Sequence, residues 1–241
     1  MPFPEYPGAE NWGVRAGKAS SRGGADIDRI IVHVMVGSYE GSMRWANDSP
    51  DNSFHYGVSL NARIGQAVTE KWAAWHAGNW PVNKRSIGIE HEDLQRWNSP
   101  GWWTEKQMRA SAKLAAHLCK KYSIPADREH ILPHWQVASD GRACPGPHFP
   151  LDWYIELVRS YLGGEPETWR GSRWQWCQDN SAPAPAVLTY EDRDIWRIER
   201  VYSNPERLPT MSRWQWCQDN SAPAPAVLTY NGEPAWKVTR I

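Results

Sequence analysis

The chain has 241 residues, 41% of them apolar and 22% charged, the balance of a folded protein rather than a disordered one. Its 27 Lys+Arg are matched by 27 Asp+Glu, so no net charge draws it towards nucleic acid or an anionic membrane surface. No apolar run approaches the ~20 residues that span a bilayer, and the opening MPFPEYPGAENWG has neither the basic nor the apolar region of a secretory signal. Synthesis in a cytoplasm, with the four cysteines (Cys119, Cys144, Cys177, Cys217) reduced, is the expectation. Trp is in excess at 17 residues, and so bulky a side chain asks for a cause.

In chain order, RIIVHVMV (29–36) reads as a buried strand, and FHYGVSL with RIGQAV as a strand pair turning at Asn61 and Ala62. SIGIEHE (86–92) is a further strand. TEKQMRASAKLAAHLCKKY is a helix, with Thr104 and Gln107 as a capping box and an apolar stripe through Met108, Leu114 or Ala115, Leu118, Cys119 and Tyr122. A last helix is predicted from Leu151 to Tyr161, before the Gly/Pro break LGGEPE. Strands interleaved with helices indicate an α/β layer, a mixed central sheet flanked by helices.

The remainder is a repeat. Ser172–Tyr190 and Ser212–Tyr230 are the same 19 letters, SRWQWCQDNSAPAPAVLTY, at an offset of 40, and Trp196 and Trp236 continue the match. Each copy reads as β: RWQWC as an alternating strand with both Trp on one face, AVLTY as a second, IWRIER or AWKVTRI as a third, with SAPAP as a connector. The layout is thus 1–162 as an α/β domain, 163–171 as a linker and 172–241 as an all-β two-repeat module. Cys177 and Cys217 are read as buried thiols, with a bridge between repeats as the alternative.

His33 lies inside an apolar strand, where a lone histidine is more often a satisfied core residue. HWQVASDGRACPGPHF adds His134 and Cys144 in a Gly/Pro-rich loop. Two imidazoles and a thiolate make a three-ligand zinc set that leaves a fourth position open, the pattern of a catalytic site.

Five motifs in order, IIVHVMVGS, SFHYGV, AAWHAG, SIGIEHE and PHWQVASDGRACPGPHF, resemble the zinc-dependent N-acetylmuramoyl-L-alanine amidases of type 2. That family includes phage endolysins and shares its fold with peptidoglycan recognition proteins. The resemblance covers roughly residues 26–160. It implies that His33, His134 and Cys144 hold zinc, that Glu90 is the general base, and that Arg142 faces the developing oxyanion. It places His76, with its neighbours Trp75 and Phe54, along the substrate groove, and His76 is equally readable as a hydrogen-bond partner of a metal ligand. Some relatives carry a Tyr where Phe54 stands. Tyr56, two residues on and expected on the same strand face, is the candidate to replace its hydroxyl. His55 and His91 read as plain strand histidines, and Cys119 as a core residue.

The function implied is hydrolysis of the amide between N-acetylmuramic acid and L-alanine in bacterial peptidoglycan by an endolysin-like monomer. The repeats would bind a wall component, with no nucleic-acid or membrane partner. The enzyme would be made in the host cytoplasm and act on the wall after release. The alternatives are a non-catalytic peptidoglycan-binding protein, which would need no zinc, and an amidase of muropeptide recycling.

Overall fold

The computed structural model describes residues 3–14, 17–94, 102–139, 141–163, 169–179, 184–190, 193–201, 206–219, 223–230 and 233–241. The chain divides into two compact units, Met1–Gly164 and Glu165–Ile241.

The first unit contains β1 (Glu10–Asn11), β2 (Ala19–Ser21), β3 (Arg29–Val34), α1 (Tyr39–Asp48), β4 (Tyr56–Val58), β5 (Ile64–Gln66), β6 (Trp72–Ala74), α2 (Trp80–Arg85), β7 (Ser86–His91), α3 (Glu105–Tyr122), β8 (Ile131–Pro133), α4 (His134–Val137) and α5 (Leu151–Tyr161). Its main sheet has the order β1-β5-β4-β7-β3-β8, with β2 and β6 as a separate antiparallel pair. The centre is parallel, because β3 runs with both β7 and β8, and β4 with β7. A central parallel strand is covered on both faces, which is why Ile30 to Val34 is an unbroken buried run. β4 and β5 form the antiparallel pair expected from the sequence, and Ala62 in their turn has φ +70°.

Helix α3 buries Met108, Ala112, Leu114, Ala115, Leu118 and Cys119 and packs against α5. At its start the Thr104 side chain accepts from the Gln107 backbone N–H. The other half of the expected capping box is missing: the Gln107 side-chain oxygen does not accept from the Thr104 N–H, because its amide nitrogen donates to the carbonyls of Val58 and Glu92 and holds the side chain towards the sheet.

The second unit holds β9 (Trp169–Ser172), α6 (Arg173–Gln178), β10 (Ala186–Tyr190), β11 (Arg193–Arg200), β12 (Thr210–Ser212), α7 (Arg213–Gln218), β13 (Ala226–Tyr230) and β14 (Glu233–Arg240). All six strands form one sheet, β12-β13-β14-β11-β10-β9. The two copies meet at β11 and β14, which pair antiparallel with Ile198 opposite Val238, Trp196 opposite Arg240 and Arg200 opposite Trp236. Exchanging the copies maps this ladder onto itself, so a pseudo-dyad passes through the Ile198–Val238 pair.

Three expectations need correction here. RWQWC is a helix, not a strand. Ser172 and Ser212 each accept from the backbone N–H of the Gln three residues on, and that Gln returns the bond in a full capping box, so the local signal is for helix. Residues two apart on a helix lie on opposite sides, hence Trp176 and Trp216 are fully buried while Trp174 and Trp214 are 68% and 70% exposed. Cys177 and Cys217 are joined in a disulfide, because the pseudo-dyad brings equivalent residues of α6 and α7 together. The expected linker is shorter than 163–171, because Trp169–Ser172 is already β9, paired with β10. Residues 164–168 of that linker lie outside the described residues, as do 181–183 and 221–222 of the two connectors.

The core of this unit is shared between the copies. Trp176 packs edge-to-face on Trp216 and Trp236, and Trp196 on Trp216. Arg173 stacks on Trp216 and donates to the carbonyls of Trp216 and Asp219. Arg213 does the same towards Trp176, Cys177 and Asp179.

Candidate active site

Three neighbouring parallel strands end at the same edge, and their register aligns the chemistry. His33 in β3 is directly opposite Glu90 in β7, and His134 follows the last residue of β8. Crevices beyond the carboxyl ends of parallel strands are where such sheets bind ligands. Cys144 comes from the loop after α4, and the Val34 N–H donates to its sulfur at 3.3 Å.

The donor atoms of His33, His134 and Cys144 all lie within 4.8 Å of one another, and all three residues are buried. His33 presents Nδ1 to the centre, 4.0 Å from the Cys144 sulfur and 3.9 Å from a Glu90 oxygen. The second oxygen of Glu90 is buried with no hydrogen-bond partner among the described residues. Burial pushes the Glu90 carboxyl up to about 8, against the pull of Arg142. A cation beside it draws such a carboxyl back down. Burial also pushes the Cys144 thiol up and the His33 imidazole well down. Two buried imidazoles, a thiol and a carboxyl with one oxygen lacking a partner among the described residues fit a divalent zinc ion, whose charge offsets the shifts at Glu90 and Cys144.

An open cavity of about 370 Å³ lies over this centre, lined by His33, His134, Cys144, Glu90, Arg142, Phe54, Trp75 and His76 among others. The structure therefore brings together eight of the nine residues singled out in the sequence. Tyr56 is the exception. Its ring is fully buried, and its hydroxyl donates to Glu70, which also accepts from Lys121 and Tyr122. Phe54 precedes β4 rather than lying in it, so strand alternation does not carry Tyr56 to the same side. His76 lines the cavity but has spent both ring nitrogens on His33 and Ser86. Its position at the cavity wall is the groove position expected from the sequence, and its bond to His33 is the alternative the sequence left open.

His55 and His91 are buried structural groups. His55 accepts from the Gly88 N–H, and His91 bonds the His33 carbonyl and Ser111, so His91 braces the backbone of His33 from behind. Trp45, Val36, Asn52 and Ser53 also line the cavity, and sequence reasoning missed them. Trp45 sits on α1, a helix whose N-cap Ser38 was the one signal available. Val36, two residues beyond β3, has φ +54°, a costly conformation for a β-branched residue.

Residues 23–147 match the N-acetylmuramoyl-L-alanine amidase family. The chain belongs to that family. It is an enzyme of the amidase class, and the matched segment contains the whole constellation described above. N-acetylmuramoyl-L-alanine amidase A of Achromobacter lyticus is 30% identical over 174 residues, covering 64% of this chain and 96% of that protein. The amidase AmiD of Escherichia coli (strain K12) is 29% identical over 162 residues, covering 60% of this chain and 56% of AmiD. Among solved structures, AmpD in selenomethionine form aligns with a TM-score of 0.53 at 21% identity, covering 64% of this chain and 96% of AmpD. Staphylococcus aureus AmiA aligns with 0.53 at 17% identity, covering 66% and 84%. These structures share the α/β amidase fold of the first unit.

Proposed function

We propose that the first unit is a zinc amidase that cleaves the bond between the lactyl group of N-acetylmuramic acid and L-alanine in peptidoglycan. The observation that carries this reading is the convergence of His33, His134 and Cys144 with Glu90 at the floor of one open cavity. Zinc, when bound, supplies a Lewis acid and lowers the pKa of water towards ~7. His33, His134 and Cys144 hold it. Glu90, with a carboxylate oxygen free of other partners, accepts the proton of the attacking water and returns it to the departing L-alanine amine. Arg142, at the rim of the same cavity, places its positive charge where the carbonyl oxygen becomes anionic. Phe54 and Trp75 supply apolar walls and exclude water.

Digestion of purified walls followed by mass spectrometry tests the reading. Free L-alanine amino termini and intact lactyl groups are expected, and their loss after chelation. Cleavage between sugars, or an unchanged rate without zinc, would overturn it.

The second unit is proposed to bind a wall glycan, which favours an endolysin-like enzyme over a recycling one. Trp174 and Trp214 support this. They are exposed equivalents on α6 and α7, each one turn from the disulfide that joins those helices. The other described Trp side chains of the unit are buried, so packing does not account for these two. Indole faces stack on sugar rings. The unit carries 9 Lys+Arg against 10 Asp+Glu, so its binding would survive moderate salt. Trp174→Ala with Trp214→Ala in the full chain should cut co-sedimentation with walls without lowering the melting temperature. Undiminished sedimentation would refute the assignment.

A further inference from the structure

We infer that His76 is a positioning residue for the metal centre, fixing which ring nitrogen of His33 keeps its lone pair, through a hydrogen-bond chain that starts at the Val82 carbonyl. The inference rests on reading His33 as a metal ligand.

The chain can be followed proton by proton. A carbonyl oxygen only accepts, so the Ser86 hydroxyl donates its single proton to the Val82 carbonyl, 2.7 Å away. The Ser86 oxygen lies 3.1 Å from His76 Nε2. With its proton already placed, Ser86 must accept there, and His76 carries its hydrogen on Nε2. Among the described residues the ring nitrogens of His76 meet only Ser86 and His33, with no carboxylate at either, and a buried cation without an anionic partner is costly, so His76 carries the Nε2 proton alone. His76 Nδ1 is then an acceptor, and it lies 3.0 Å from His33 Nε2. His33 donates from Nε2 and is left with its lone pair on Nδ1. That is the atom facing Cys144 and Glu90. The opposite polarity would put a proton on His33 Nδ1 and close the site to a metal. A ligand histidine whose far nitrogen is held in this way is both oriented and made more basic.

A second observation fixes the ring of His76 itself. A Cβ on Gly88 would come within 2.6 Å of its Cγ and 2.8 Å of its Cδ2 and Nδ1. Gly88 in β7 is thus the position that lets the imidazole lie flat across the strand between His33 and Ser86. Neither Ser86 nor Gly88 carries any chemistry of its own, yet both determine the protonation pattern of a residue on the neighbouring strand β3.

The test uses full-length protein labelled with ¹⁵N at histidine. Long-range ¹H–¹⁵N spectra of the zinc-free protein should show both His33 and His76 protonated at Nε2. A proton on His33 Nδ1 overturns the inference with no variant needed. Zinc affinity is then measured by competition with a chromophoric chelator. His76→Phe keeps a ring but has no acceptor, and should bind zinc about 10- to 100-fold more weakly. His76→Asn, whose Oδ1 takes the place of Nδ1, should recover most of that loss. Gly88→Ala should resemble His76→Phe, and Ser86→Ala should lose less. Equal zinc affinity in the Phe and Asn variants would show that the acceptor is irrelevant and would refute the proposal. Failure of the unaltered protein to bind zinc would instead refute the metal-site reading beneath it.

Discussion

Removing the Cys177–Cys217 bridge tests how the second unit is held together. The disulfide closes a loop of 40 residues between equivalent helices. In chain-entropy terms a loop of that length costs about 13 cal/mol/K on closure, or about 4 kcal/mol at 25 °C. A unit of this size has about 4–12 kcal/mol in total, so the bridge supplies a large part of its stability. About 4 kcal/mol in a unit this small corresponds to a fall in melting temperature on the order of 20 °C. The assay is scanning calorimetry of the full chain, intact and as Cys177→Ser with Cys217→Ser, both measured in reductant and without it. The first unit's transition should be unmoved and the second unit's should fall in the serine variant. Reductant should lower the intact protein to the same value and leave the variant unchanged. A second-unit transition within a few degrees of the intact value in the variant would show that the shared tryptophan core suffices and that the entropic reasoning is wrong.

Glu90→Gln should retain zinc and lose about 10²–10⁴ in turnover, measured by amine release from a soluble muropeptide. A near-normal rate would remove Glu90 as the base. Cys144→Ser should lose most of its zinc by metal analysis, whereas Cys119→Ser, buried on α3, should keep it. Acid should weaken the zinc-free first unit. His91 is held down to about 4 and His55 is also well lowered, while the unfolded chain protonates near ~6.5. The unfolded state therefore binds more protons below that pH, so stability rises with pH between about 4 and 6.5 and falls on acidification by up to ~1.4 kcal/mol per pH unit per histidine. Thermal melts at pH 5 and 7 report it, and equal midpoints would contradict the burial of these rings. Deleting residues 201–241 should abolish any cooperative transition of the second unit, because Trp176 and Trp196 would lose Trp216 and Trp236. A folded single copy would refute the shared core.

Much of the first unit was legible in the sequence because its signals are local. The apolar run around His33 could only be a buried strand, the Thr104 start and apolar stripe of α3 could only be a helix, and the five ordered motifs pointed to one chemistry. Tyr56 was misplaced because period-two alternation holds only inside a strand, and residue 54 lies before it. Helix α1 and its Trp45 were missed because a short helix draws its stability from packing rather than from its own pattern.

What the sequence determined by itself was which residue types stand in line: the histidines and cysteine proposed to hold zinc, the carboxylate proposed as base, and the fact of an exact repeat. Only the tertiary structure decided how the repeat is used. The spacing of Cys177 and Cys217 carries no information about distance, and a dyad between β11 and β14 is what makes them meet. The RWQWC segment alternates like a strand, but serine caps and a tryptophan from the other copy select the helix, because a small unit gains more from burying Trp176 and Trp216 against each other than from extending two edge strands. In the same way, no sequence pattern links Val82, Ser86, His76 and His33. Their alignment arises because β7 and β3 are neighbours and Gly88 leaves room between them.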